Sequence, residues 1–233
     1  MINILADYFW RSVMSFGDEE MPIDRSLYVF QTNPKLEQKV KGDALLPYYG
    51  NTVVFQLDEA VRETLKTCQR TLYEKAGWML AEPLDPDTFH MTLHDLVSGP
   101  EKTEALQQQM AEAAEKAKVL IRQWKEEPPI SMFATWVFNM VDTSIVLGFC
   151  PTNMEDYKRL DAMYMALEEV IPLNRALTPH VTLAYYRPGS YSIYDVKCLN
   201  KVLTPVSLHF QLKMEDLVLQ TFESMNCYHT VED

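Results

Sequence analysis

Hydrophobic and polar positions change their period along the chain, and these changes predict strands and helices in turn. Positions 52–57 are rich in β-branched and aromatic residues, which is typical of a buried strand. Apolar residues then recur every three or four positions over 61–72, which predicts a helix with one buried stripe and with Asp58 as its N-cap. A second strand is predicted over 89–96.

The same order of elements returns in the second half of the chain. Strands are predicted over 130–140 and 144–150, then a helix opened by a capping box of Thr152 and Glu155, then a strand over 180–186. Other predicted elements are a long helix over 106–124 and C-terminal strands near 206–213, 216–222 and 226–231.

Two strand–helix–strand units of similar length therefore stand in one chain, and each ends in the same motif. Val53 is separated from His90 by 37 positions, and Ile145 is separated from His180 by 35. Because duplicated units build sites at the pseudo-twofold axis between them, we expect the two histidines to face each other. The motifs read His90-Met91-Thr92-Leu93 and His180-Val181-Thr182-Leu183.

The motifs combine residue types that suit acid–base chemistry on a phosphodiester. Side chains alternate across a strand, so each histidine shares a face with its threonine. In-line attack on a phosphodiester needs one group to take a proton and one to give a proton, and histidine does either near neutral pH. We expect His90 and His180 to be this pair, in either order, while Thr92 and Thr182 donate hydrogen bonds to phosphate oxygens.

The paired motifs resemble those of the 2H phosphoesterase superfamily, which includes RNA 2′,3′-cyclic phosphodiesterases and 2′-5′ RNA ligase-like proteins. The resemblance covers about residues 52–222. It implies a bilobal α+β fold with pseudo-twofold duplication, in which two antiparallel sheets are flanked by outer helices and a central cleft carries both motifs.

The resemblance also divides the chain. We expect residues 1–50, with a predicted strand over 27–30, to form an N-terminal extension packed on the main domain, and residues 51–233 to form the phosphoesterase domain. We expect its two lobes over about 51–125 and 126–233, with an exchange of strands between them allowed.

Five further residues are candidates for contact with the substrate. On a regular strand, His94 continues the face of the first motif and Tyr186 that of the second, where Tyr186 either stacks on a base or simply packs. Arg187 contacts a phosphate or lies in solvent, and Tyr48 and Tyr49 cover the cleft as a lid or pack elsewhere. The first motif's histidine and His94 have the spacing of a helical metal pair, but their segment is predicted as a strand and lacks the glutamate of His-Glu-x-x-His. We therefore expect no metal and no cofactor.

Composition narrows the substrate and the location. Acidic residues outnumber basic ones 33 to 21, so we expect a small nucleotide or an RNA end as the partner, not long nucleic acid. The four cysteines are scattered, and the sequence shows neither a secretory signal nor an apolar membrane span. These features favour a cytoplasmic protein without membrane contact, which we expect to be a monomer.

Three functional hypotheses follow. The first is a metal-independent phosphodiesterase that hydrolyses a 2′,3′-cyclic phosphate or a 2′-5′ linkage, with an RNA ligase-like activity as the chemical reverse. The second is a nucleotide- or RNA-binding module that has the fold without turnover. The third makes both motifs structural, and it requires the two histidines to be buried apart from each other.

Overall fold

The computed structural model describes residues 29–232, in which strands and helices follow one another along the chain. The strands are β1 (Val29–Gln31), β2 (Val40–Lys41), β3 (Ala44–Leu45), β4 (Tyr49–Gln56), β5 (His90–Gly99), β6 (Ile130–Met140), β7 (Ser144–Pro151), β8 (His180–Tyr185), β9 (Ser190–Ser192), β10 (His209–Leu212), β11 (Leu217–Ser224) and β12 (Cys227–Thr230). The α-helices are α1 (Glu59–Ala76), α2 (Glu104–Trp124), α3 (Met154–Glu168) and α4 (Ile193–Asn200).

Two four-stranded antiparallel sheets form the frame of the molecule. One has the strand order β12-β11-β4-β5 and the other has the order β10-β6-β7-β8. The C-terminal strands β11 and β12 thus join the sheet that β4 and β5 begin. The motif strands β5 and β8 are each at the edge of a sheet, and these two edges lie against each other. The predicted α+β fold with two antiparallel sheets and outer helices is confirmed.

Short polar side chains cap the N-termini of the helices. The cap of α1 is formed by the predicted residue, and the cap of α3 is formed by the neighbour of the predicted one. Asp58 caps α1, as predicted, and its carboxylate accepts a hydrogen bond of 2.9 Å from a backbone N–H of the first turn. The prediction of a capping box formed by Thr152 and Glu155 is wrong. Asn153 caps α3 instead, because its side chain accepts from the backbone N–H of Asp156 at 2.9 Å.

The two repeated units, β4-α1-β5 and β7-α3-β8, interlock. Helix α1 contacts β8, and helix α3 contacts β5, so each helix packs on the motif strand of the other unit. Gln69 of α1 donates a hydrogen bond of 3.0 Å to the carbonyl of Leu183 in β8. Glu168 of α3 reaches His94 of β5 at 3.1 Å. Polar contacts therefore hold each helix in place beside the other unit's motif.

In the part that the structure describes, the beginning of the chain packs on the segment that follows β8. Strand β1 pairs with β9, and the ring of Phe30 lies 5.0 Å from that of Tyr186. Residues 27 and 28 of the predicted strand lie outside the described residues. Strand β9 and helix α4 were not predicted from the sequence. Among the helices described, none has the length and apolar character required to cross a membrane.

Candidate active site

His90 and His180 begin β5 and β8, and both line one cleft of about 630 Å³. In each ring, Nδ1 bonds to the backbone carbonyl of the residue two positions earlier. The distance is 2.7 Å from His90 to Thr88 and 2.5 Å from His180 to Thr178. The two units therefore hold their imidazoles in the same way.

These backbone bonds fix the tautomer of both histidines. A carbonyl oxygen only accepts, so Nδ1 must carry the hydrogen and donate it in each ring. In the neutral imidazole Nε2 then keeps its lone pair, and in the protonated imidazole Nε2 carries a hydrogen. Each histidine is therefore arranged to accept or to give a proton through Nε2.

Thr92 shares the cleft with His90, and a β-bulge follows it directly. Thr92 lies opposite Val54 on the neighbouring strand, but His94 lies opposite Val53, which leaves Leu93 as an extra residue. Residues opposite each other in an antiparallel pair share a face, and adjacent residues such as Val53 and Val54 point to opposite faces. Thr92 and His94 therefore lie on opposite faces of β5.

Strand β8 repeats this arrangement at the equivalent position. Thr182 lines the cleft and lies opposite Val146, whereas Ala184 lies opposite Ile145. Leu183 is the extra residue of this second bulge. The pseudo-twofold repeat thus extends from the motifs to the irregularity that follows each of them.

The bulge in β8 corrects the prediction for Tyr186. Past the extra residue the alternation is reversed, so Tyr185 lines the cleft instead. Tyr186 is fully buried between Phe30 and Tyr191, at ring distances of 5.0 and 6.4 Å. It is a core residue and not a platform for a base.

The bulge in β5 likewise corrects the face predicted for His94. His94 borders the cleft, but its side chain is fully buried, and its Nε2 lies 3.1 Å from Glu168 Oε1. The same carboxylate accepts hydrogen bonds from the backbone N–H groups of Leu173 and Asn174. His94 thus helps to fix the segment that leads to His180. Asp95 takes the place on the cleft face.

The other three candidates lie behind or away from the cleft surface. Arg187 donates from Nε to the carbonyl of Leu80 at 2.6 Å. Tyr48 stacks on Phe222 with the ring centroids 6.3 Å apart, and it is Phe222 that lines the cleft. Tyr49 begins β4 and is not among the residues of the cleft wall. None of the three forms part of the cleft surface in this structure.

Two cations that the sequence pattern did not predict line the cleft. Arg175, in the connection before His180, forms an ion pair of 2.7 Å with Asp95. Burial acts to lower the pKa of Lys39, but nearby Tyr185 and Asp95 outweigh it and raise the pKa, so this amine stays charged. The only signal for Arg175 was its place in the connection leading to the second motif, and Lys39 carried none. Both provide positive charge for an anionic ligand.

An aromatic wall adjoins the first histidine, and the sequence pattern did not predict it. The ring of Tyr228 meets His90 edge-on, with the centroids 4.7 Å apart. The hydroxyl of Tyr185 donates to the sulfur of Met225 at 3.2 Å. Burial raises the pKa of Tyr228 well above its usual value, so this hydroxyl stays protonated. The cleft therefore has an apolar, aromatic side as well as a charged side.

Both motif histidines resist protonation in the free protein. Burial lowers the pKa of His90 to about 4, the bond to Thr88 and the charge of Asp95 oppose this shift, and a charge on His180 adds to it. Burial also lowers the pKa of His180. A phosphate in the cleft adds negative charge and favours the protonated form of either ring.

Comparison with known proteins finds similarity in structure alone. No family model and no curated protein matches the chain. A protein of unknown function from Agrobacterium tumefaciens, ATU0111, is 14% identical with a TM-score of 0.60, over 83% of this chain and 89% of that one. TT0787 of Thermus thermophilus is 17% identical with a TM-score of 0.52, over 78% of this chain and 95% of that one.

These likenesses define the class of fold: over most of its length the chain folds like these proteins, and this agrees with the bilobal α+β fold that the paired motifs implied. A particular protein with this fold is LigT of E. coli, solved in complex with 3′-AMP. It is 14% identical with a TM-score of 0.52, over 79% of this chain and 96% of LigT. LigT has also been solved with ATP and with NADP+.

Proposed function

We propose that this protein is a phosphodiesterase in which His90 and His180 act as the acid–base pair, without a catalytic metal. The observation that carries the proposal is the matched Nδ1 bond of each histidine to the backbone carbonyl two residues earlier, at 2.7 and 2.5 Å. Holding one imidazole this way is common for a structural histidine. Two imidazoles held identically on facing edge strands, beside one cleft, favour a shared reaction.

In the proposed reaction one neutral imidazole takes a proton from water as the water oxygen attacks phosphorus. The second, protonated imidazole gives its proton to the ribose oxygen as the P–O bond breaks. The histidines exchange protonation states, and solvent restores them. Thr92 and Thr182 donate to the non-bridging oxygens, and Arg175 offsets the charge that gathers there.

The proposed substrate is a small nucleotide or an RNA end with a 2′,3′-cyclic phosphate or a 2′-5′ linkage. A cleft of about 630 Å³ falls within the size range of small-molecule sites. Tyr185 and Tyr228 offer aromatic surface to a base, which favours binding by about 1–3 kcal/mol. The net charge of −12 disfavours long nucleic acid. The nucleotide complexes of LigT support a ligand of this class.

The test is hydrolysis of 2′,3′-cyclic AMP and of a 2′-5′-linked dinucleotide by the full chain in EDTA, with products separated by chromatography. The variants are His90→Asn and His180→Asn, because an asparagine amide can still donate to the backbone carbonyl. Each should lower kcat/KM by about 10²–10⁴-fold. His209→Asn, at an exposed position of β10, is the matched control and should keep full activity.

Activity that survives in both cleft variants, or that requires a metal, would overturn the proposed mechanism. Tight binding of 3′-AMP without turnover of either substrate would favour the binding module instead. Isothermal titration with 3′-AMP separates these outcomes, because the asparagine variants keep the cleft shape and should still bind.

A further inference from the structure

The hairpin of β11 and β12 carries a second group of reactive side chains. Among residues 29–232, Glu223, Cys227 and His229 bring a carboxylate oxygen, a thiol and an imidazole nitrogen within 4.8 Å of one another. Sγ of Cys227 lies 3.3 Å from Nε2 of His229. Cys227 is half-buried, and the other two are exposed, so the group is open to solvent.

The spacing of these atoms suits a tetrahedral metal centre. Bonds of about 2.3 Å to sulfur and about 2.0 Å to nitrogen, at a tetrahedral angle, separate the two ligand atoms by about 3.5 Å. The observed distance of 3.3 Å is close to this value. Sulfur, imidazole and carboxylate together are ligands that Zn²⁺ accepts, and water can supply the fourth position.

We propose that Glu223, Cys227 and His229 bind a divalent transition-metal ion, with Zn²⁺ as the best fit. The carboxylate of Glu223 offers an oxygen atom on the same side of the hairpin as the thiol and the imidazole. The thiol releases its proton to solvent when the sulfur binds the ion. No step of the proposed hydrolysis passes through this ion.

The site lies back to back with the cleft. Cys227 and His229 are two positions apart on β12 and share a face, while Tyr228 between them points to the opposite face. Tyr228 is the residue that meets the ring of His90 at 4.7 Å. An ion held by Cys227 and His229 of β12 and by Glu223 of β11 ties the two strands together and fixes the position of Tyr228.

Lys102 competes with the ion for Glu223. Its Nζ lies 2.8 Å from Glu223 Oε1, and both side chains are half exposed. An incoming cation must share or displace this partner and is repelled by its charge. The variant Lys102→Gln should therefore bind the metal more tightly than the natural chain. A purely structural role for these side chains does not predict this increase in affinity.

The experiment titrates the apo full chain with Co²⁺ and follows the thiolate-to-cobalt charge-transfer band, then displaces Co²⁺ with Zn²⁺. We expect one ion per chain. Cys227→Ser should abolish the band. His229→Gln should weaken binding by at least about 10-fold, the smaller end of what loss of an outer-shell partner costs. Cys198→Ser, at a half-buried cysteine of α4, should change nothing.

A band that persists in Cys227→Ser, or equal affinity in the natural chain and Lys102→Gln, overturns the proposal. Circular dichroism checks that the variants fold. Zn²⁺ should also slow amide hydrogen exchange in β11 and β12, and this effect should be lost in His229→Gln. Hydrolysis is assayed in EDTA, which removes the metal ion. The proposed metal site and the proposed activity are therefore tested independently.

Discussion

Because the pKa of His90 is lowered in the folded protein, the free energy of unfolding should depend on pH by an amount that can be calculated. The substitution is His90→Asn, which removes the titrating ring while leaving an amide that can donate to the carbonyl of Thr88. The unfolded histidine has an ordinary pKa of about 6.5. In the folded protein burial lowers the pKa to about 4. Between these two values the unfolded chain binds more protons, so acid favours unfolding.

The size of the effect follows from the two pKa values. Above pH 6.5 both states are neutral at this position, and the stability contribution is fully present. It is lost as the pH falls, by about 2 kcal/mol at pH 5 and by about 3 kcal/mol below the folded pKa. The free energy of unfolding falls in both proteins between pH 8 and pH 5. The fall should be smaller in His90→Asn than in the natural chain, by about 2 kcal/mol.

The assay is urea unfolding of both proteins at several pH values, followed by tryptophan fluorescence. Other groups titrate in both chains, so the difference between them isolates His90. His209→Asn is the reference for removing an exposed histidine. If the difference between the natural chain and His90→Asn stays constant within about 0.5 kcal/mol from pH 8 to pH 5, the assignment of a lowered pKa to His90 is wrong.

Three other outcomes follow from the geometry. The pH profile of kcat/KM for the proposed hydrolysis should peak below about pH 6.5, because one motif histidine must be protonated and both have lowered pKa values; a peak above about pH 7.5 would contradict this. Glu168→Ala leaves two backbone N–H groups and a buried histidine without their carboxylate, so urea unfolding should show a loss of about 1–3 kcal/mol, against less than about 0.5 for exposed Glu169→Ala. Gly50→Ala places a Cβ 2.5 Å from the carbonyl oxygen of Val97 and should cost about 1–3 kcal/mol, whereas Gly189→Ala meets nothing within 4 Å and should not.

The sequence predicted the faces of the motifs correctly as far as each bulge and no further. His90 and Thr92 share a face because strand alternation holds between them. The extra residue in each strand is a leucine, Leu93 or Leu183, and a leucine suits a regular core strand as well as a bulge. The hydrophobic pattern therefore carries no mark of the bulge, and candidates beyond it, such as Tyr186, were placed on the wrong face.

The rest of the cleft could not be predicted, because it comes from segments that only the sheet order brings together. Tyr228 lies beside His90 because β11 pairs with β4 on one side and with β12 on the other. A periodic pattern predicts that a strand exists, but it does not say which strand lies beside it. Lys39 and Arg175 lie in connections where no period applies, so their approach to the cleft left no signal in the pattern.

The interlocked helices have a consequence for how the chain can be divided. Gln69 of α1 bonds to the backbone of β8, and Glu168 of α3 bonds to His94 of β5, so each motif strand depends on a helix from the other unit. A fragment that ends between the units would separate both strands from these partners. We therefore expect the duplicated half to be a repeat in sequence order but not an autonomous folding unit. We expect the two copies to unfold together, so that neither imidazole keeps its position when the other unit is lost.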